Sequence, residues 1–367
     1  MTTSKSASKE AVRWPVTETP PSTMTAVTFR EFGDPDVLKT EIVAVPEIRR
    51  DQILIRVGAV SVGRLLDLVA RSGSHPYAHF SFPHILGAEH AGVVAAIGSD
   101  VTGRRIGDRV ATFPVVTDSD CPMVQAGYGE LSPTVEIIGT HRQGAYAQYI
   151  AVPARNVFSV PPGLNPSDAV AVALAGAVAM NQMHRAGFVP GQRIVVQGAT
   201  SALGSTTALL AQHLGAELVV TSRYAGKRDR LRELGFTNVL DSASTSLPHE
   251  IRDAFAGHAA DIVVDNLGEP ELWAKGMDSL APGGAMVSSG AFLGHQVTVD
   301  LQRLYSQGQR VIGVRTGNLQ SAARMWKEVN KGFRSVVDRT FPLESASTAH
   351  RYVESSSNVG RVTLTVD

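Results

Sequence analysis

Residues 193–204, reading R-I-V-V-Q-G-A-T-S-A-L-G, restrict the fold more than any other stretch of the chain. Ile194, Val195 and Val196 form a short β-branched run, the composition of a strand buried on both faces. The run breaks at Gly198. It resumes after Gly204 as a helical pattern, with Leu203, Leu210 and Leu214 among small residues and Gly215 where a helix stops. A strand, a glycine turn and a helix aim free backbone N–H groups and the positive helix end at a pyrophosphate. Gly198, Ala199, Thr200, Ser201, Ala202, Leu203 and Gly204 would form that cradle, with Thr200 or Ser201 adding a hydroxyl donor. The spacing keeps the outer glycines of a G-x-x-G-x-x-G loop, and Ser201 holds the middle place. Taken alone, such a turn also fits an ordinary βα connection.

The surroundings favour the nucleotide reading. A strand over 217–221 comes at βαβ distance, a further strand-like run covers 261–265, and Asn266-Leu267-Gly268 follows it. Pro282-Gly283-Gly284 reads as a turn into a strand over 285–288, and 310–314 closes the series. Strands alternating with helices predict a parallel, doubly wound sheet, an α/β architecture. The end of the second strand selects the dinucleotide. An NAD site usually places Asp or Glu about 20 residues past the first glycine, on the ribose hydroxyls. Here that place reads Thr221-Ser222-Arg223-Tyr224 with Lys227 beyond, and no carboxylate lies between Glu217 and Asp229. A hydroxyl and two cations suit a 2′-phosphate, so NADPH is expected, with Tyr224 against the adenine. The alternative is a solvated basic helix start, since Lys227, Arg228, Arg230 and Arg232 also make a charged face.

A chain of 367 residues holds two domains with proper cores. Its 34 basic and 34 acidic residues balance, which gives no reason to expect nucleic acid or an anionic membrane as partner. No apolar run reaches the length of a membrane span. One cysteine, Cys121, excludes an intrachain disulfide and a four-cysteine zinc site, and fits a reducing cytoplasm. Residues 1–23 are rich in Ser, Thr, Lys and Pro, lack the apolar core of a secretory signal, and read as a flexible tail. Strands are expected over 25–30, 38–45 and 53–60, with 65–71 helical.

Several stretches together resemble the medium-chain dehydrogenase/reductase superfamily, in its zinc-free quinone-oxidoreductase and enoyl-reductase branch. They are Phe82-Pro83-His84-Ile85-Leu86-Gly87-Ala88-Glu89-His90-Ala91-Gly92, Ile106-Gly107-Asp108-Arg109-Val110, Gly144-Ala145-Tyr146-Ala147-Gln148-Tyr149, and Phe341-Pro342-Leu343 with Gly360-Arg361-Val362 near the end. The resemblance implies a GroES-like β-rich catalytic domain over 24–158, a Rossmann NADP-binding domain over 159–315, and a return segment over 316–367 that completes the first domain. It also implies a homodimer paired through the Rossmann edge strand, an edge that has a physical reason to pair.

The departures carry the chemistry. Zinc-dependent members take a ligand from a cysteine near position 63, where this chain has Gly63, and their Gly-His-Glu histidine is Ala88 here. No set of three soft ligands remains, and no metal is expected. His90 beside Glu89 reads as a hydrogen-bonded partner rather than a displaced ligand. Without a Lewis acid, hydride transfer needs an acceptor that is already electron-poor: a C=C conjugated to a carbonyl, or a quinone. Donors aimed at the developing oxyanion would stabilise it. Some enoyl reductases of the family are proposed to use a Tyr before Pro as proton donor. The matching stretch is Ser74-His75-Pro76-Tyr77, which makes His75 and Tyr77 the catalytic candidates, with a loop cap as the alternative for His75. Asp67 is expected to be structural, because one extra residue disturbs its alignment, and Tyr146 to pack.

On the nicotinamide side the resemblance places Asn266, Leu267, Gly290 and Ala291 at strand ends. Arg315 either reaches the pocket or makes a surface salt bridge. The family's Thr in its Gly-x-Thr-Ala segment is Val178, which loses one hydroxyl. The reading is therefore a zinc-independent, NADPH-dependent reductase of a small-molecule substrate. A dinucleotide-binding protein without turnover, or with a regulatory role, is the alternative. If His75 donates the proton, His75→Phe lowers turnover and removes a limb of the pH–rate profile; unchanged turnover would clear it of that role.

Overall fold

The computed structural model describes residues 13–16, 19–76 and 80–367. The middle of the chain forms a six-stranded parallel sheet. Its spatial order is Val239–Leu240, Glu217–Thr221, Arg193–Gln197, Ala260–Asp265, Leu280–Ser288 and Arg310–Gly313. The first strand in sequence, Arg193–Gln197, lies centrally, so the strand order reverses between it and Ala260–Asp265. In a doubly wound sheet that reversal opens a crevice at the carboxyl ends of the two strands, which here are Gln197 and Asp265. The central strands read as β-branched runs because helices cover both faces. Ile194, Val196, Val220, Ile262 and Val264 enter one core, while Val195, Val219 and Val263 enter the other.

The first part of the chain is mostly antiparallel, the parallel pair among its described strands being Val337–Pro342 with Arg361–Thr365. Its larger sheet places Val157–Ser159, Arg109–Thr112, His90–Ile97, Gln52–Val62, Arg361–Thr365 and Val337–Pro342 side by side, with Tyr149–Pro153 also on Gln52–Val62. The return segment thus enters this sheet at Val362 opposite Val62. A smaller sheet joins Thr23–Phe29, Lys39–Ala44 and His84–Ile85. The expected fold class, a GroES-like β-rich part with a Rossmann doubly wound part, is the observed one.

The helices Pro166–Ala173 and Leu319–Asn330 lie where the two parts meet. Pro166–Ala173 packs on the larger antiparallel sheet, because Ala59, Ala91 and Ala111 leave room for Ala169 and Val170. Leu319–Asn330 packs on Ala175–Ala186, where a Cβ on Gly176 would stand 2.7 Å from Met325 Cγ. The linear division at 159 and 316 therefore runs through packed material: each helix folds onto the part that the division assigns to its neighbour.

Three local readings need correction. Pro282-Gly283-Gly284 does not turn ahead of a strand. The strand runs through it as Leu280–Ser288, and Gly283, at φ 75°, is absorbed as an irregularity with a register shift opposite Ala260/Ile262. The 65–71 helix is a π-helix over Arg64–Val69. Of the expected flexible tail, Trp14 and Pro15 are half-buried, Arg13 and Val16 are exposed, and residues 1–12 and 17–18 lie outside the described residues. Trp14 Nε1 donates to the Leu164 carbonyl at 2.9 Å, Arg109 lies over its ring at 5.6 Å, and Arg56 donates to the Val16 carbonyl. An indole that gains a hydrogen bond, a cation and apolar contact has reason to leave solvent. Trp14→Ala is expected to destabilise the protein by roughly 2 kcal/mol, read as a lower urea midpoint at unchanged slope.

Candidate active site

The phosphate loop closes where Arg193–Gln197 ends. Gly198 has φ 69°, and a Cβ there would also press on Leu267. A Cβ on Gly204 would stand 2.1 Å from the Gly198 carbonyl oxygen, so only glycine lets the helix start this close to the strand. Ser201 is the N-cap of the helix Ala202–His213. Its Oγ accepts from Gly204 N at 2.9 Å, and its own N donates to the Gly198 carbonyl. The residue in the middle-glycine place thus caps the helix. Ala202 and Leu203, ahead of any intrahelical acceptor, keep N–H groups for an anion. Ala199 is a core residue, and Thr200 is buried with its carbonyl accepting from Gly360 N.

At the end of Glu217–Thr221, Ser222 is buried and its carbonyl accepts from Arg228. Arg228 also pairs with Asp241, so it is spoken for. Arg223 and Lys227 instead lie over the half-exposed Tyr224 ring at 4.9 and 5.8 Å. Burial holds the Lys227 ammonium below the usual lysine range, and Arg64 depresses it further, against an opposing pull from Asp338. Arg64 itself donates to the Val353 carbonyl and Ser356 Oγ. It comes from the first part of the chain and adds a third cation to this corner. Sequence reasoning missed it, although an arginine right after an apolar strand and Gly63 was a visible signal.

Across the crevice, a Cβ on Gly290 would stand 2.5 Å from the Asn266 carbonyl oxygen, and Leu293 N donates to the Leu267 carbonyl. Gly198, Asn266, Leu267, Gly290 and Ala291 are thus brought together at the switch point. Asp265 shapes that turn by accepting from Leu267 N and Gly268 N, both at 3.0 Å. Asn266 Nδ2 and Ser289 Oγ are buried and find no hydrogen-bond partner among the described residues, which suits a site that takes a polar ligand. Arg315 is not drawn into this group. It is exposed, and its Nη1 donates to the carbonyl of Glu130, in the lobe over residues 113–141 that the resemblance equates with the structural-zinc lobe of zinc-dependent members. The Glu130 carboxylate in turn accepts from Asn181 and Asn318, which fastens the lobe to the helix Ala175–Ala186 and to the N-cap of Leu319–Asn330.

The catalytic candidates fare unevenly. His75 is buried. Desolvation, then the neighbouring His141, holds its pKa below the usual histidine value, which disfavours the imidazolium form. Tyr77 lies outside the described residues.

The corner where zinc-dependent relatives gather ligands is built from backbone and two carboxylates. Glu89 is buried and saturated. Its oxygens accept from Leu174 N, Ala175 N and Ser61 Oγ, and pair with Arg361 at 2.7 Å. Asp67 Oδ2 accepts from Gly63 N at 2.6 Å and Oδ1 from Gly87 N at 2.9 Å. The extra residue that disturbs alignment before Asp67 is taken up by the wider π turn, which still delivers its carboxylate to both amides. A Cβ at position 63 would stand 3.2 Å from Asp67 Oδ2, so a larger side chain there would crowd the carboxylate. Ala88 brings no polar side chain. Among the described residues no three His, Cys, Asp or Glu side chains stand close enough to share a metal ion.

Comparison with known proteins agrees with this architecture. Residues 49–162 match the family model described as alcohol dehydrogenase GroES-like domain, and residues 202–331 the one described as zinc-binding dehydrogenase. The chain belongs to the medium-chain dehydrogenase/reductase superfamily, a group of nicotinamide-dependent oxidoreductases. It is 29% identical over 94% of its length to a 2-methylene-furan-3-one reductase of Solanum lycopersicum, covering 79% of that protein. It is 27% identical over 92% of its length to a 2-haloacrylate reductase of a Burkholderia species, covering 98% of it. A crystal structure of an NAD-dependent alcohol dehydrogenase superimposes with a TM-score of 0.87 at 29% identity, covering 94% of this chain and all of that one. Among the described residues no helix is long and apolar enough to cross a membrane.

Burial pushes the Asp67 carboxyl up from 3.8 to about 7. The folded state therefore binds a proton that the unfolded chain has already released. The resulting stabilisation is complete below about pH 4 and is lost as pH rises through about 7. Asp67→Asn should remove that fall in stability, measured by urea denaturation across this window.

Proposed function

We propose that the chain is a zinc-independent reductase that uses NADPH to reduce a C=C conjugated to a carbonyl, or a quinone. The observation that carries the reading is the corner at Gly63 and Ala88: neither residue offers a ligand atom, while the supporting Glu89–Arg361 pair is kept. The residues present fit the cofactor. The Gly198–Gly204 loop and the N–H groups of Ala202 and Leu203 would hold the pyrophosphate. Ser222, Arg223 and Lys227, with Arg64, would hold the 2′-phosphate, and Tyr224 would flank the adenine. Asn266, Leu267, Gly290 and Ala291 would line the nicotinamide end. When bound, the dinucleotide supplies a hydride.

The chain's own part is to orient and to hydrogen-bond. With no ligating side chain at 63 or 88, it offers backbone N–H donors and no Lewis acid, so it suits an acceptor polarised by its own carbonyl. His75 remains the proposed proton route, with Tyr77 or water as the other source. Two similar proteins bear names of reductases of activated double bonds, while others bear names of alcohol dehydrogenases, so the choice of substrate class rests on Gly63 and Ala88. The strand Arg310–Gly313 lies at the sheet edge with Val311 exposed, and we propose that a second copy pairs there.

The test is NADPH and NADH oxidation with an enone, an acrylyl thioester, a para-quinone and a plain aldehyde. NADPH should be consumed with an activated acceptor and not with the aldehyde. Arg223→Ala should raise KM for NADPH about tenfold and leave NADH unaffected. Preferential aldehyde turnover, or equal loss for both dinucleotides, contradicts the reading. Tight NADPH binding with no turnover on any acceptor would favour the dinucleotide-binding alternative.

A further inference from the structure

Three buried amide and hydroxyl groups link two helices to the crevice, and two of them, Thr207 and Gln182, have no role in the account so far. Thr207, on Ala202–His213, donates its hydroxyl to Gln182 Oε1 at 2.8 Å. Gln182, on Ala175–Ala186, donates its Nε2 to Asn266 Oδ1 at 2.9 Å. Thr207 and Gln182 are fully buried, and Asn266 is 6% exposed. The chain of bonds has a direction. Once Thr207 donates, Gln182 must present its NH2 to Asn266, and Asn266 must accept through its oxygen. That leaves Asn266 Nδ2 as the far end of the chain of bonds, buried and with no partner among the described residues.

A buried N–H donor left unmade is costly, and such costs persist where a ligand completes the bond. Asn266 sits at the carboxyl end of Ala260–Asp265, with its carbonyl against Gly290, on the nicotinamide side of the crevice. Val178, one helical turn before Gln182, offers no hydroxyl there. The adenine half of a dinucleotide lies at the other end, by Arg223 and Lys227.

We propose that Thr207 and Gln182 are positioning residues that lock the Asn266 amide, and that Asn266 Nδ2 donates to the carboxamide oxygen of the nicotinamide ring. The inference rests on the dinucleotide site proposed above and does not depend on its preference for NADPH. The carboxamide is common to both dinucleotides, and a fixed donor to it would set the rotation of the ring.

Fluorescence or calorimetric titration tests this without turnover. Wild type, Asn266→Ala, Gln182→Met and Thr207→Val are each titrated with NADPH and with 2′-phospho-ADP-ribose, which keeps the ribose and lacks the ring. The expected result is about tenfold weaker NADPH binding in Asn266→Ala and Gln182→Met, a smaller loss in Thr207→Val, and unchanged binding of the ring-free fragment. Retained fragment binding also certifies the fold. Equal weakening for both ligands would reduce these residues to scaffolding, and no weakening for either would remove the contact; each overturns the proposal. If wild type takes NADH in place of NADPH, the cofactor choice above fails, and the same comparison is read with NADH and ADP-ribose. If wild type binds no dinucleotide, both the site and this inference fall.

Discussion

The buried ion pair between Glu89 and Arg361 holds the architecture together. Glu89 lies just before the strand His90–Ile97, Arg361 begins the last strand of the chain, and the two are 272 residues apart in sequence. Through its second contacts Glu89 also caps the start of the helix Ala175–Ala186 and reaches Ser61 on the longest strand. One carboxylate thus fastens the early sheet, the return strand and the helix that leads into the nucleotide loop. Taking two charges out of water is expensive, and the cost is offset only because every lone pair of the acid is used. Loss of either partner would strand the other charge, at about 3–5 kcal/mol. That rigidity lets the crevice be shaped by backbone alone.

Next to this pair, the site has been rebuilt around missing side chains. Gly63 and Ala88 contribute no functional groups, and Asp67 draws the amides of Gly63 and Gly87 together. Asp67 lies on the π turn Arg64–Val69, and from there its carboxyl reaches both amides. A carboxylate that binds two N–H groups, stays buried and holds a proton into the neutral range is a structural cross-link. The lobe at 113–141 follows the same logic, with the Glu130 carboxylate accepting from two asparagines to anchor it.

Much of the fold was legible because its signals are local. The β-branched run ending in Gly198, the helix pattern after Gly204 and the spacing of later strands all lie within a few residues of what they specify. The cationic corner was legible for the same reason, since Ser222, Arg223, Tyr224 and Lys227 are consecutive or one turn apart. What escaped was non-local or short. Arg64 reaches the Lys227 corner from the other part of the chain, and Glu89 meets Arg361 across most of the sequence. The strand Val239–Leu240 has too few residues to show a period. Trp14 looked like part of a polar tail because its partners, Leu164 and Arg109, are over 90 residues away in sequence. Arg315 was open between the pocket and a surface salt bridge, because position on a strand end does not fix where a long side chain goes, and its guanidinium instead donates to the Glu130 carbonyl.

The central claim is that this crevice runs hydride chemistry on an activated acceptor with no metal at the reacting centre. Elemental analysis of the purified protein, coupled to NADPH-dependent enone or quinone turnover before and after chelation, tests it most directly. The account predicts sub-stoichiometric zinc and turnover indifferent to the chelator. Stoichiometric zinc, with turnover abolished on its removal and restored on its return, would contradict it.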